Sequence, residues 1–390
     1  MVQTANRIER VEEYYFSRKL GEVKRLEAIN LGIGSPDMAP ANETILALQQ
    51  TAAQESSHGY QGYKGTPALR QAIADFYQRV YKVNLHPEKM ILPLMGSKEG
   101  IMHIALTFLN EGEGVLIPDP GYPTYASVSR LLGARVTTYR LMENKNWCID
   151  FDDLEQRDLS GVKMMWVNSP HMPTGSVLGK TDMERLVALA RKNNFLLVND
   201  NPYSLILNDE PRSILSLEGA EEVALELNSL SKSHNMAGWR VGWLAGKPEY
   251  VDAVLRVKSN MDSGMFLGIQ QAATTALRQG EEWFEALNAV YTKRRQEAYR
   301  ILDTLGCTYS KAQAGLFVWA QAPGTVEDVE HWIDEILHQA GVFITPGFIF
   351  GQAGERYIRL SLCANEEQLT AARNRIVQWV EKSDKRNVVI

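Results

Sequence analysis

A chain of 390 residues is long for one compact core, so two domains, or one large domain with a satellite, are expected. The 47 acidic and 41 basic residues leave a net charge of −6 without any lysine or arginine block, which argues against nucleic acid as a partner. The start MVQTANRIER has no apolar signal region, no apolar run is long enough to span a bilayer, and Cys148, Cys307 and Cys363 never form a CxxC, so a cytoplasmic protein without disulfides, thiolate metal site or membrane contact is expected.

Residues 1–45 are rich in charge and tyrosine, end near NLGIGSPDMAP, and read as an N-terminal arm that joins part of a small domain. In TPALRQAIADFYQRVY, Thr66 is a natural N-cap and Pro67 a natural first-turn residue, which predicts a helix. Strand-like runs follow at 89–95, 114–118, 134–141, 162–168, 195–200, 223–230 and 239–245, alternating with helix-like segments such as IMHIALTFLN and KTDMERLVALARKN. That alternation predicts an α/β fold with a mostly parallel seven-stranded sheet flanked by helices, and residues 46–266 are assigned to this large domain. Residues 267–390 then read as an interdomain helix over about 268–302, followed by strands in LFVWA and YIRLSL and a helix in VEDVEHWIDEILHQA, a smaller α+β domain. His331 and His338 lie seven apart on that last helix, too far apart to share an ion without help, and HExxH is absent, so no metal is expected.

In such a sheet, ligands meet the residues just past the carboxyl ends of the strands. There the sequence places Gly96, Ser97 and Lys98 at a helix start, Tyr122 in PDPGYPTY, the turn SPHMPTG, Asp200 and Tyr203 in DNPY, and Ser229, Lys232 and Arg240 in NSLSKSHNMAGWR. A helix N-terminus, serines and an arginine suit a phosphate, an aromatic suits a planar ring, and a lysine can form an imine. Pyridoxal phosphate fits that set.

These motifs, with GYKGTPALR, PGFIFG and YIRLSL, resemble in order and over nearly the whole chain the class I/II aminotransferases of pyridoxal-phosphate fold type I, and GSKEGI, PDPGYPTY and SNMDSG are similar to the branch that includes LL-diaminopimelate aminotransferases. The resemblance implies an amino group moved between an L-amino acid and a 2-oxo acid, with Lys232 as the Schiff-base lysine, Asp200 on the pyridinium nitrogen and Tyr203 on the phenolic oxygen. It also implies phosphate binding by Arg240, Ser229 and the Gly96, Ser97 and Lys98 turn, ring stacking by Tyr122, and a substrate carboxylate held by Arg359 beside Gly34. Tyr60 resembles the family tyrosine that reaches the neighbouring subunit's phosphate, which implies a homodimer with shared active sites. Charge pairing at Asp200 keeps the ring nitrogen protonated, Lys232 can shuttle a proton at Cα, and Arg359 can meet a carboxylate with two parallel hydrogen bonds.

One position departs from the family. Where an asparagine usually precedes PTG and donates to the cofactor's phenolic oxygen, this chain has Met172, which cannot donate. Unless His171, Asn168 or a water substitutes, the pH midpoint of the holoenzyme's visible absorbance is expected above that of relatives with asparagine.

Two rival functions remain. A fold type I carbon–sulfur β-lyase uses much the same residues, whereas a ligand-sensing domain of a transcription regulator would need a DNA-binding module ahead of NLGIGSP. For the substrate, Arg18, Arg25 or Arg256 could meet a second carboxylate, and Tyr14, Tyr15, Phe16 and Met265 could line an apolar pocket.

Overall fold

A computed structural model describes residues 2–11 and 15–387, and Tyr14 lies outside them. Its large sheet has eight strands in the spatial order Ile91–Leu94, Gly242–Gly246, Ala224–Ser229, Leu196–Asp200, Val162–Asn168, Gly114–Asp119, Arg135–Met142 and Cys148–Ile149. The five from Ala224–Ser229 to Arg135–Met142 run parallel, while Gly242–Gly246 is antiparallel to both of its neighbours and Cys148–Ile149 is antiparallel to the strand beside it. Ala224–Ser229 and Leu196–Asp200 are buried at every position, as strands covered by helices on both faces must be.

The sequence predicts seven of these strands; the eighth is a two-residue edge piece, too short to leave an alternation signal. The strand expected from residue 239 instead starts at Gly242, because Ala237–Trp239 closes a 3-10 turn and Arg240 takes a left-handed φ of 57°. The Thr66 hydroxyl accepts the Leu69 N–H at 3.3 Å, capping the Pro67–Tyr81 helix as its sequence predicts.

A second, four-stranded antiparallel sheet has the order Thr308–Tyr309, Phe317–Gln321, Tyr357–Ser361, Thr345–Pro346. The helical stretch leading to it is broken into Leu267–Ala276 and Glu281–Thr304, the second helix starting after Gly280. Ile29–Asn30 pairs in parallel with Val342–Phe343, and Lys19 of the Tyr15–Arg25 helix bonds Asp334 at 2.6 Å, so the N-terminal segment packs against this second region. His331 and His338 do not converge: after Glu335 the backbone passes into a π turn, and His338 instead faces Glu22 at 2.9 Å. No helix among the described residues is long and apolar enough to cross a membrane.

Candidate active site

Asp200 ends its strand with its carboxyl buried. One oxygen, Oδ2, accepts the Tyr125 hydroxyl at 2.8 Å, and Oδ1 has no hydrogen-bond donor. Burial, with the Glu226 carboxyl nearby, outweighs the Tyr125 bond and raises the Asp200 pKa to about 6. Tyr125 is fixed in turn, stacked on Trp166 at 4.9 Å and edge-on to Tyr122 at 5.5 Å. Asn168, at the end of the adjacent strand, donates to the Asp200 carbonyl at 2.6 Å.

Ser229 closes the next strand and caps the single helical turn Leu230–Ser233 that carries Lys232. Its hydroxyl lies 2.8 Å from that of Ser231 and 3.0 Å from the Val241 carbonyl. The Lys232 ammonium donates to the Gly34 carbonyl, and burial lowers its pKa, with Arg359 and Arg240 acting in the same direction. Tyr203 lies 6.0 Å from the Phe317 ring, edge-on, and burial pushes its phenol pKa up.

Gly96 precedes the Ser97–Phe108 helix with φ of 90°, and a Cβ there would stand 2.1 Å from Arg240 Nη2. A Cβ on Gly242 would meet the Ser97 backbone nitrogen at 2.6 Å. Two glycines therefore let a helix N-terminus and a guanidinium crowd into one spot, which is an anion cradle. Lys98 lies exposed at its rim.

On the opposite wall, Arg359 sits mid-strand and buried. Its Nη2 donates to the Gly32 carbonyl at 2.6 Å and its Nη1 to the Met172 sulfur at 3.0 Å. The rings of Phe317, Phe350 and Phe16 lie 3.9, 4.7 and 5.7 Å from its Cζ. Gly34 permits this packing, since a Cβ there would lie 2.2 Å from Phe317 Cζ.

The structure thus brings together Gly34, Gly96, Ser97, Lys98, Tyr122, Asp200, Tyr203, Ser229, Lys232, Arg240 and Arg359. Tyr60 is not brought in: it is 93% exposed on its own loop. Of the candidates for a second carboxylate, Arg18 lies 5.8 Å from the Tyr15 ring, Arg25 is exposed beside Glu22, and Arg256 is exposed on its helix. Met265 is buried in a different core cluster, against the Pro67–Tyr81 helix. Sequence reasoning missed Tyr125, although it stands one helical turn past Tyr122, and Phe317, which left no signal.

Of the substitutes named for the missing asparagine, Asn168 is fully used, whereas His171 is engaged at one ring nitrogen and its buried Nε2 has no hydrogen-bond partner among the described residues. Asn168 donates to the Asp200 carbonyl and accepts the Met172 N–H at 2.7 Å, using both ends of its amide. His171 Nδ1 is 2.8 Å from the Thr174 hydroxyl, and burial drives its pKa down to about 3, keeping it neutral. Elsewhere among the described residues, Glu99, His103 and Asp262 bring ligand atoms within 4.8 Å of one another, but the Lys258 ammonium, 2.8 Å from Asp262, already supplies a countercharge.

These residues fit pyridoxal phosphate: a buried carboxylate oxygen awaits an N–H donor, a buried amine has a depressed pKa, and an anion cradle lies beside both. The model of the aminotransferase class I and II family matches residues 27–376. The LL-diaminopimelate aminotransferase of Oleidesulfovibrio alaskensis is 38% identical over 381 residues, covering 95% of this chain and 98% of the relative. Among solved structures, the substrate-bound BacF protein of Bacillus subtilis superposes with a TM-score of 0.93 at 34% identity, covering 97% of this chain and 98% of its own. The aromatic aminotransferase of Pyrococcus horikoshii superposes with a TM-score of 0.86 at 26% identity, covering 94% and 99%. The chain belongs to the class I and II aminotransferases, enzymes that exchange an amino group between an amino acid and a 2-oxo acid with pyridoxal phosphate as cofactor.

Proposed function

We propose that Lys232 is the amine that would hold the cofactor and, when not so engaged, would carry the proton at the substrate Cα. The cofactor, when bound, supplies the electron sink that lets that Cα–H bond break. Asp200 would hold the ring N–H, Tyr203 would donate to the phenolic oxygen, and Tyr122 would cover a ring face. Gly96, Ser97, Lys98, Ser229 and Arg240 hold the phosphate, and Arg359, beside Gly34, takes the substrate carboxylate. The observation that carries this reading is the joint burial of the Lys232 amine and of an Asp200 oxygen without a donor. The depressed pKa of Lys232 supports its role, because an amine must shed its proton before it can attack or act as a base. In Lys232→Ala, the visible absorbance of the lysine-linked cofactor disappears and turnover falls by at least about a thousandfold. Retention of either sinks the assignment.

The same proposal includes a homodimer in which Tyr60 serves the partner's phosphate site. Tyr60 is 93% exposed, Tyr63 46% and Met261 56%, and Gly264 packs against the Gln61 carbonyl, so the two loops touch and present exposed apolar side chains. The boundaries 1–45, 46–266 and 267–390 are proposed because the large sheet lies wholly within the second range and the antiparallel sheet within the third. Free Cys148, Cys307 and Cys363 support a cytoplasmic location.

LL-diaminopimelate is the first amino donor to test, on the strength of the relatives' names. The rings of Phe16, Phe317 and Phe350 around Arg359 favour a second reading, a donor with an apolar or aromatic side chain. A panel of single amino acids, each mixed with holoenzyme, decides between them by which one bleaches the visible band fastest.

A further inference from the structure

Glu226 is fully buried in the middle of the strand that leads to Lys232, and the site described above does not use it. Its Oε1 accepts the Tyr77 hydroxyl at 2.9 Å. Its Oε2 accepts the Asn199 amide and the Ile214 backbone N–H, both at 3.0 Å, and the Ser213 hydroxyl also bonds to it. All four partners donate. Tyr77 in turn receives the Trp243 indole N–H at 3.4 Å, which leaves its own O–H to point at Glu226.

A carboxyl group surrounded only by donors is matched as the ionised, acceptor-only form. Burial pushes its pKa up and outweighs the four hydrogen bonds, which pull the other way. Tyr81 and Asp200 are the further titratable groups whose titration its charge perturbs. A buried charge without a cationic partner is costly, so its position calls for a reason.

The register supplies one. Asn199 pairs with Glu226, and Asp200 with Leu227, so Glu226 sits one step back from Asp200 on the neighbouring strand. Side chains alternate along a strand. Asn199 and Glu226 therefore face the Pro67–Tyr81 helix, whereas Asp200 faces Tyr125 on the other side of the sheet. We infer that Glu226 is a positioning residue for Asp200: it pins the end of the Asp200 strand through Asn199, and its fixed negative charge raises the proton affinity of the N–H group held at Asp200 Oδ1. This rests on the proposed pairing of Asp200 with the cofactor's ring nitrogen.

Glu226→Gln separates charge from scaffold. A glutamine can keep its oxygen toward Asn199 and Ile214 and turn its amide toward Tyr77, which then accepts and must swing its own O–H away, so the bonds to Asn199 and Ile214 survive while the charge is lost. A negative charge favours protonated, positively charged forms, so its removal lowers the pH midpoint of the holoenzyme's visible absorbance, by about half a unit or more. The expected kcat is about tenfold lower with KM changed less than about threefold, because ring protonation matters to the chemical step and not to carboxylate binding. Tyr77→Phe, which removes one donor that keeps the carboxylate charged, moves the midpoint the same way by less.

An unmoved midpoint in Glu226→Gln, or in Tyr77→Phe should the glutamine variant not fold, overturns the inference and leaves Glu226 as a structural clip. A wild-type holoenzyme without a lysine-linked visible band would overturn the reading of Lys232 and Asp200, and this inference with it. The two failures are therefore told apart in the wild-type spectrum before any variant is compared.

Discussion

The wall that carries Asp200 and Lys232 and the wall that carries Arg359 are bonded in different ways. On the first, charged groups cap parallel strands and are fixed by short, directional bonds: Tyr125 to the Asp200 carboxylate at 2.8 Å, Asn168 to the Asp200 carbonyl at 2.6 Å. On the second, Arg359 emerges mid-strand from an antiparallel sheet, where its contacts include the Gly32 carbonyl, a thioether and the faces of three aromatic rings. Sulfur is a weak, polarisable acceptor, and aromatic faces constrain a guanidinium little in rotation. A cofactor that stays through many turnovers suits the rigid wall. A carboxylate that must enter and leave suits the soft one.

The comparison breaks most easily at Asp200. In Asp200→Asn the residue keeps a partner in Tyr125 but loses its charge, and kcat is expected to fall by about a thousandfold with KM little changed. A fall of less than about tenfold would show that the rigid wall is not where the chemistry is driven. Arg359→Lys probes the soft wall. Lysine cannot make two parallel bonds, so kcat/KM should fall by about a hundredfold, mostly through KM. A loss confined to kcat would place Arg359 in the chemical step.

Two buried histidines flank the site, His171 beside Met172 and His234 two residues past Lys232, and both have their pKa values pushed down to about 3 by burial, with Arg79 adding to the effect at His234. The unfolded chain takes up protons at these positions below about pH 6.5, which the folded protein refuses. Their stability contribution is therefore whole above about pH 6.5 and is lost as pH falls toward 3. At pH 5 each histidine costs about 1–2 kcal/mol. A thermal melt of holoenzyme at pH 5 should lie several degrees below that at pH 7.5, and His234→Gln should remove about half of the difference. Equal melting temperatures at both pH values would mean that these rings titrate normally.

Much of the rigid wall is legible in the sequence, for a physical reason. In an α/β sheet the ends of consecutive strands converge, so Asp200, Tyr203, Ser229 and Lys232 can be gathered by reading just past each apolar run. The soft wall is assembled from the N-terminal helix, Phe317, the Gly347–Phe350 turn and Tyr357–Ser361, whose meeting depends on sheet order that no local pattern encodes. Glu226 was hidden inside VALELNSL, where it reads as one more strand residue. Tyr60 shows the opposite limit: its motif is recognisable, but the structure leaves it exposed and away from the cradle.

Met172 joins the two walls, and its replacement is the finest probe of them. Its sulfur holds Arg359, while its backbone N–H is held by Asn168, the residue that also grips Asp200. With both ends of its amide used, Asn168 is not free to take over the donor role of the family's asparagine. In Met172→Asn the new amide can accept from Arg359 through its oxygen and donate toward the cofactor's phenolic oxygen through its nitrogen. Donation there favours the deprotonated form, so the midpoint of visible absorbance should fall by about half a pH unit, with kcat/KM changed less than tenfold. If the midpoint stays where it is, Tyr203 or water already stabilises that oxygen fully. Met172 would then matter only as the soft contact that lets Arg359 turn toward an incoming carboxylate.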